Sequence, residues 1–241
     1  MRRVHAPPVL FAAVALGAFR VAAAQEAAAG VNGYLTVSSG YWRHGLAQSD
    51  GPTLQLGVDY QHAGGFFVGA WAADVDYVVD YSAEHPRDSV VDVYAGYHRR
   101  TADWSWTGMV GRYVYPGTAA AYDYTEWSGT VGYRDRLFYT ASYSPDFYGW
   151  ERSSLNQEVS FALPLRGDLE LGGALGKFAV SGTSVDFTHW NLGLSKVARW
   201  IVLDLRYYDS GYAGAGYLGN PNADQYVLSL SYGLRGRRTR I

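Results

Sequence analysis

Apolar and polar residues alternate with a period of two along most of the chain, and the alternation is clearest over residues 53–61. There Leu54, Leu56, Val58 and Tyr60 form one stripe, and Thr53, Gln55, Gly57, Asp59 and Gln61 form the other. Successive side chains of a strand point to opposite faces, so this segment is a ribbon with one apolar and one polar side. The same reading predicts twelve strands, over 31–39, 53–61, 66–73, 90–98, 104–115, 124–133, 137–144, 155–163, 169–176, 188–195, 200–208 and 226–234. Segment 66–73 is ambiguous, because Phe66, Val68 and Ala70 are about as apolar as Phe67, Gly69 and Trp71. No segment with a helical period competes with these strands.

The connections add a second regularity. After even-numbered segments they are short, at 62–65, 99–103, 134–136, 164–168 and 196–199. After odd-numbered segments most are longer, at 42–52, 74–88, 116–123, 145–154, 177–187 and 209–225. Short turns at one end and long loops at the other predict an all-β, antiparallel up-and-down barrel of about 12 strands, with periplasmic turns and extracellular loops. A water-soluble sandwich or lipocalin-like barrel also alternates, with its apolar stripe inside. Three features favour the inverted, transmembrane arrangement. Most apolar stripes are four or five positions long and many end in Tyr or Trp, as lipid-facing bands with aromatic girdles do. The opposite stripe is mostly Gly, Ser, Thr, Asn, Gln and carboxylates, as a wet lumen requires. A closed barrel also leaves no strand edge unpaired, whereas an open sheet of this size has edges to protect.

Composition agrees with a β-rich, aromatic-rich chain: 29 glycines and 21 tyrosines stand beside only 2 methionines among 241 residues. The amino terminus reads as a secretory signal over 1–24. Arg2 and Arg3 supply the basic region, 9–19 the apolar region, and Ala22, Ala23 and Ala24 the small-residue cleavage site. The apolar run is too short to span a bilayer as a helix. Residues 25–241 then form one domain. Removing Arg2, Arg3 and Arg20 takes Lys+Arg from 20 to 17 against 22 Asp+Glu, a net charge of −5. There is no cysteine, so neither disulfides nor thiolate chemistry enter the picture.

On such a barrel the polar stripe places Asp59, Asp92, Glu126, Glu158, Glu170 and Asp204 in the lumen, with Arg206 as the main positive charge. These are the candidate pore-lining residues, and their acidic excess implies a mild preference for cations. The alternative is that they pair with Arg206, His98 and tyrosines and brace or seal the barrel. The segment WRHGLAQSDG offers the candidate extracellular-loop residues Trp42, Arg43, His44 and Asp50, in a loop placed to fold back over the mouth. Basic residues gather at the short-turn end: Arg99, Arg100, Arg134, Arg136, Arg166, Lys196 and Arg199, then Arg235, Arg237, Arg238 and Arg240 in the tail. They suit outer-membrane lipid headgroups or a solvated rim, and they are too few for nucleic acid.

Catalytic chemistry is thin. The histidines show no metal-binding spacing and no Gly-x-Ser-x-Gly elbow is present. His189 near Asn191 is a weak lead to a barrel-borne lipase, and the acidic run Asp74, Asp76, Asp80, Glu84 and Asp88 lacks calcium-loop spacing. No enzymatic role, metal or cofactor is expected.

The run SSGYWRHGLAQSDGPTLQLGVDY followed by GGFFVGAWAADVDY resembles the amino-terminal signature of the TorF-type porins, also called the Gcw_chp family of bacterial outer-membrane proteins. VDVYAGYHRR, VGRYVYPG, YDYTEW, TASYSPDFYG and WNLGLSKV extend the resemblance over essentially all of the mature chain. The resemblance implies an outer-membrane location and a pore. The resulting expectation is a passive channel for small hydrophilic solutes. Two alternatives stand beside it: a non-conducting structural or surface-exposed barrel, and an outer-membrane lipid-modifying enzyme.

Overall fold

The computed structural model describes residues 29–49, 51–75, 89–116, 122–211 and 224–235. Its strands are β1 (Gly30–Ser38), β2 (Trp42–Arg43), β3 (Leu46–Ala47), β4 (Thr53–Gln61), β5 (Phe66–Asp74), β6 (Ser89–Arg100) and β7 (Trp104–Val114). They continue with β8 (Tyr124–Tyr133), β9 (Leu137–Ser144), β10 (Ser154–Pro164), β11 (Leu169–Val180), β12 (Asp186–Ala198), β13 (Ile201–Ser210) and β14 (Asp224–Arg235). All but β2 and β3 form one closed antiparallel barrel of twelve strands, in which β1 pairs with β4 on one side and closes on β14 on the other. The segment expected to be a leader, Asp50 and most of the acidic run at 74–88 lie outside the described residues.

The alternation decides which face is which. Leu54, Leu56, Val58 and Tyr60 are exposed on the outer wall, while Thr53, Gln55 and Gln61 are buried inside. The ambiguous third strand settles the same way: Phe66 and Val68 point outward, and Trp71, only 1% exposed, points in. Aromatic pairs rim the outer wall at both ends. Trp190, Tyr207 and Tyr226 pack in succession as tilted pairs at the long-loop end. Phe66 with Tyr97, and Trp104 with Tyr133, do the same at the short-turn end. An apolar exterior between two aromatic rims is the surface a bilayer selects.

Turn chemistry fixes the register at the short end. Arg134 and Asp135 both take positive φ, and the Arg136 N–H donates to Tyr133 O, which is the type I′ geometry that matches strand twist. Inside, large side chains lie across glycines on the neighbouring strand. Tyr34 is paired with Gly57 and Tyr94 with Gly69; a Cβ at either glycine would meet the tyrosine ring at 2.4 or 2.5 Å. These contacts let bulky inner residues lie flat on the wall.

Two outcomes follow. Leu56→Arg, on the outer face of β4, should destabilise the folded barrel in lipid by about 2–4 kcal/mol at mid-bilayer depth, read from denaturant titration in liposomes. A water-soluble barrel would tolerate the change. Gly69→Val should cost about 1–3 kcal/mol through overpacking against Tyr94, seen as a lower unfolding midpoint and a smaller heat-modifiable fraction on gels.

Candidate functional site

The site is the barrel interior, and a loop has folded into it. Between β1 and β4 the chain turns inward and forms the small antiparallel hairpin β2–β3, with Trp42 opposite Ala47 and Arg43 opposite Leu46. Its two turn residues, His44 and Gly45, both have positive φ, the requirement of a tight two-residue hairpin. Gly45 meets a second demand. A Cβ there would lie 2.4 Å from His189 Cβ on the opposite wall, so only glycine lets the hairpin tip seat.

Each residue of the hairpin meets a wall residue. Tyr41 packs edge-on against Trp71. Trp42 stacks on Tyr208 and donates from Nε1 to Gln225 Oε1 at 2.8 Å. The Arg43 guanidinium lies 3.8 Å from the centroid of the Tyr113 ring, donates to Glu126 Oε1 at 2.8 Å, and also bonds the Tyr124 hydroxyl. His44 Nε2 sits 3.1 Å from Glu126 Oε2, and its ring stacks on Phe178. Glu126 thus holds both Arg43 and His44 of the hairpin. Burial disfavours the Arg43 charge, and Glu126 with the nearby tyrosine hydroxyls outweighs it, so the guanidinium holds its proton more tightly than in water. A second inward segment, the 3₁₀ turn Phe147–Gly149, wedges Phe147 and Tyr148 into the same space. Tyr148 donates to Gln48 Oε1 at 3.2 Å. Together these loops fill the long-loop half of the lumen with aromatic rings.

The short-turn half is different. Its inner wall carries small polar residues, many half-buried: Thr107, Ser128, Thr130, Ser195, Ser229 and Ser231. Thr130 and Thr140 share a hydrogen bond of 2.9 Å, and Thr36 with Ser231 one of 2.8 Å.

The sequence-derived residues fall as follows. Asp92, Glu126 and Glu158 are buried within the barrel, and Asp59, Glu170 and Asp204 are partly exposed on the inner stripe. Asp59 accepts from Asn32 Nδ2 at 3.2 Å. Asp204 pairs with Arg206 at 3.1 Å and accepts from Ser195 Oγ at 2.6 Å. Asp92 Oδ1 and Glu158 Oε1 are enclosed without a hydrogen-bond partner. Trp42, Arg43 and His44 belong to the long connection between β1 and β4, and that connection folds inward far enough to bury them against the inner wall. Arg43 also corrects the reading of Arg206 as the main internal cation. The one sequence signal for this was the density of aromatic and basic residues in Tyr41-Trp42-Arg43-His44, unusual for a loop meant only for water. The His189–Asn191 lead dissolves: His189 faces inward and bonds Asn156 Oδ1 at 2.9 Å, while Asn191 accepts from Arg206 at 2.8 Å. No group of three or more metal-ligating residues occurs among the described residues.

Solved structures share this architecture. A structure described as "KdgM porin" superposes with a TM-score of 0.54 at 14% identity, covering 83% of this chain and 98% of the other. The "NanC porin" gives 0.55 at 11% identity, covering 83% and 97%. The outer membrane protein Omp33 of Acinetobacter baumannii gives 0.52 at 10% identity, covering 88% and 100%. At these identities the likeness is one of fold: a porin-like barrel. No curated protein matches the chain. A family model matches residues 22–229, and the chain belongs to that family, described as "Bacterial protein of unknown function (Gcw_chp)".

Proposed function

We propose that the protein is an outer-membrane channel for passive diffusion of small hydrophilic solutes, with a mild preference for cations. The observation that carries this reading is the polarity of the wall. Its outer face is apolar and aromatic, while its inner stripe sets Asp59, Asp92, Glu126, Glu158, Glu170 and Asp204 against the guanidinium groups of Arg43 and Arg206. A closed wall of this kind has no use for an acidic interior except to hold water and charge. The leader-like residues 1–24 fit export, and the basic short-turn end fits a periplasmic rim.

The KdgM porin has been solved with oligogalacturonate, a polyanion. The acidic excess of this lumen repels such a ligand, which favours neutral or cationic solutes here. The inward hairpin is the constriction. With Glu126 holding Arg43 and His44, the hairpin narrows the long-loop half, and conduction is expected to rise when it swings aside. The aromatic filling of that half also favours a second reading, a non-conducting barrel whose loops do the work.

Planar-bilayer recording of the refolded protein separates the two. Discrete current steps are expected, and Asp59→Asn with Asp92→Asn should move the reversal potential in a KCl gradient toward anions. Glu126→Gln removes charged hydrogen bonds worth about 1.5–3 kcal/mol each, so the open probability should rise roughly tenfold or more. Silence from wild type, Glu126→Gln and a variant with residues 41–49 replaced by a short Gly-Ser turn would leave the non-conducting reading standing.

A further inference from the structure

Charge on the outside of the barrel is divided unequally between its two ends. At the long-loop end the outward strand residues Arg112 and Lys177 each face a carboxylate, Asp123 at 3.7 Å and Asp186 at 2.9 Å. Asp209 and Asp224 stand directly opposite each other there. The short-turn end is basic. Its turns at 99–103, 134–136, 164–168 and 196–199 carry seven Lys and Arg side chains against the carboxylates of Asp103, Asp135 and Asp168. The turn at 62–65 carries no Asp, Glu, Lys or Arg. Among the described turns the basic excess is therefore confined to the arc from β6 to β13.

Contacts within the rim use up part of that excess. Arg100 pairs with Asp135 and Arg134 with Asp103, so two neighbouring turns are crossed by reciprocal ion pairs that consume both carboxylates. Lys196 donates to Gly167 O on the adjacent turn. Arg99, Arg136, Arg166 and Arg199 are exposed, and none of their guanidinium groups has a hydrogen-bond or ion-pair partner among the described residues. Arg199 also holds positive φ, a conformation that glycine or asparagine takes with less strain. The turn itself does not call for arginine.

Each of the four stands where the apolar band of the outer wall ends. Arg99 lies on the outer stripe, two residues beyond Tyr97 and opposite the exposed Trp106. Leu137, Leu165 and Trp200 adjoin Arg136, Arg166 and Arg199 in sequence, and all three are exposed. An arginine in that position lays its stem along apolar surface and carries its charge to the headgroup layer.

We infer that the β6–β13 arc of the periplasmic rim binds phospholipids of net negative headgroup, phosphatidylglycerol being the simplest, with Arg99, Arg136, Arg166 and Arg199 on the phosphates. The inference rests on the membrane barrel and not on conduction. A guanidinium presents a planar fork of donors that matches two phosphate oxygens. A zwitterionic headgroup offers the same phosphate, but its ammonium is repelled by a rim whose cations outnumber its carboxylates. The surplus charge therefore selects the anionic lipid. The neutral 62–65 turn lacks that selectivity.

Native mass spectrometry of the refolded protein, released from vesicles of equal phosphatidylglycerol and phosphatidylethanolamine, tests this. Wild type should retain phosphatidylglycerol in severalfold excess. Arg99→Gln, Arg136→Gln, Arg166→Gln and Arg199→Gln should each lower affinity for it roughly fivefold, and the quadruple variant should show no preference. Arg112→Gln with Lys177→Gln, at the other end, should leave the excess unchanged, and heat-modifiable gel mobility confirms that each variant folds. Equal retention of the two lipids by wild type overturns the inference, as does an undiminished excess in the folded quadruple variant. Binding to purified peptidoglycan sacculi that the quadruple variant loses, in a protein with no lipid preference, overturns it in favour of a cell-wall partner. None of these outcomes depends on conduction, so the channel reading stands or falls separately.

Discussion

Everything in this molecule depends on β1 finding β14. Hydrocarbon supplies no hydrogen-bond partner for a peptide group, so a sheet within it must leave no edge. The pairing of Asn32 through Ser38 with Arg235 through Ser229 meets that demand with the first and last strands of the barrel. Once the ring is closed, the outer stripe needs only to be apolar, and Leu, Val and aromatic residues meet lipid without packing partners of their own. The interior is thereby released from the usual duty of a core. It can hold polar groups, because each strand's backbone is already paired on both sides.

That freedom creates its own difficulty. A twelve-stranded ring is wider than its wall side chains can fill from the sides alone. The hairpin and the 147–149 turn fill the long-loop half, and they do so with rings rather than aliphatic chains. Tyr41, Trp42, Phe147 and Tyr148 meet Trp71, Tyr208, Tyr124 and Phe178 at centroid distances near those of ordinary aromatic pairs. Such packing alone would allow the hairpin several seats. Glu126 selects one, because only there do Arg43 and His44 both reach its carboxylate. A buried ion pair contributes little net stability once desolvation is counted, and its value here is positional.

The strands were legible because the two faces of the wall meet opposite solvents, which makes the period of two hard to miss. Expected and observed spans for β4, β8 and β9 coincide. The spans for β11 and β12 run longer than expected, because Phe178, Val180 and Phe187 are apolar residues that face inward and blur the alternation. The hairpin was not legible as structure. Strands of two residues are too short for any period, and the turn between them puts positive φ on His44, a residue that does not announce it. The Arg43–Glu126 contact joins residues 83 apart, and only the stagger of a closed barrel brings them to the same height. Counting inner charges along the stripe therefore overlooked the cation that arrives from a loop.

The same accounting changes what sets the field inside. Glu126 is matched by Arg43 and His44, and Asp204 by Arg206, so each of these carboxylates sits within a local pair whose field falls off quickly. Asp59 has a neutral amide as partner, while Asp92 and Glu158 each keep an oxygen that no wall group satisfies. Neither of the last two stands alone, because the charge of Arg43 acts on Asp92 and that of Arg206 on Glu158. Asp59 lies toward the short-turn end of β4, whereas Asp92 and Glu158 are on separate strands nearer the filled half.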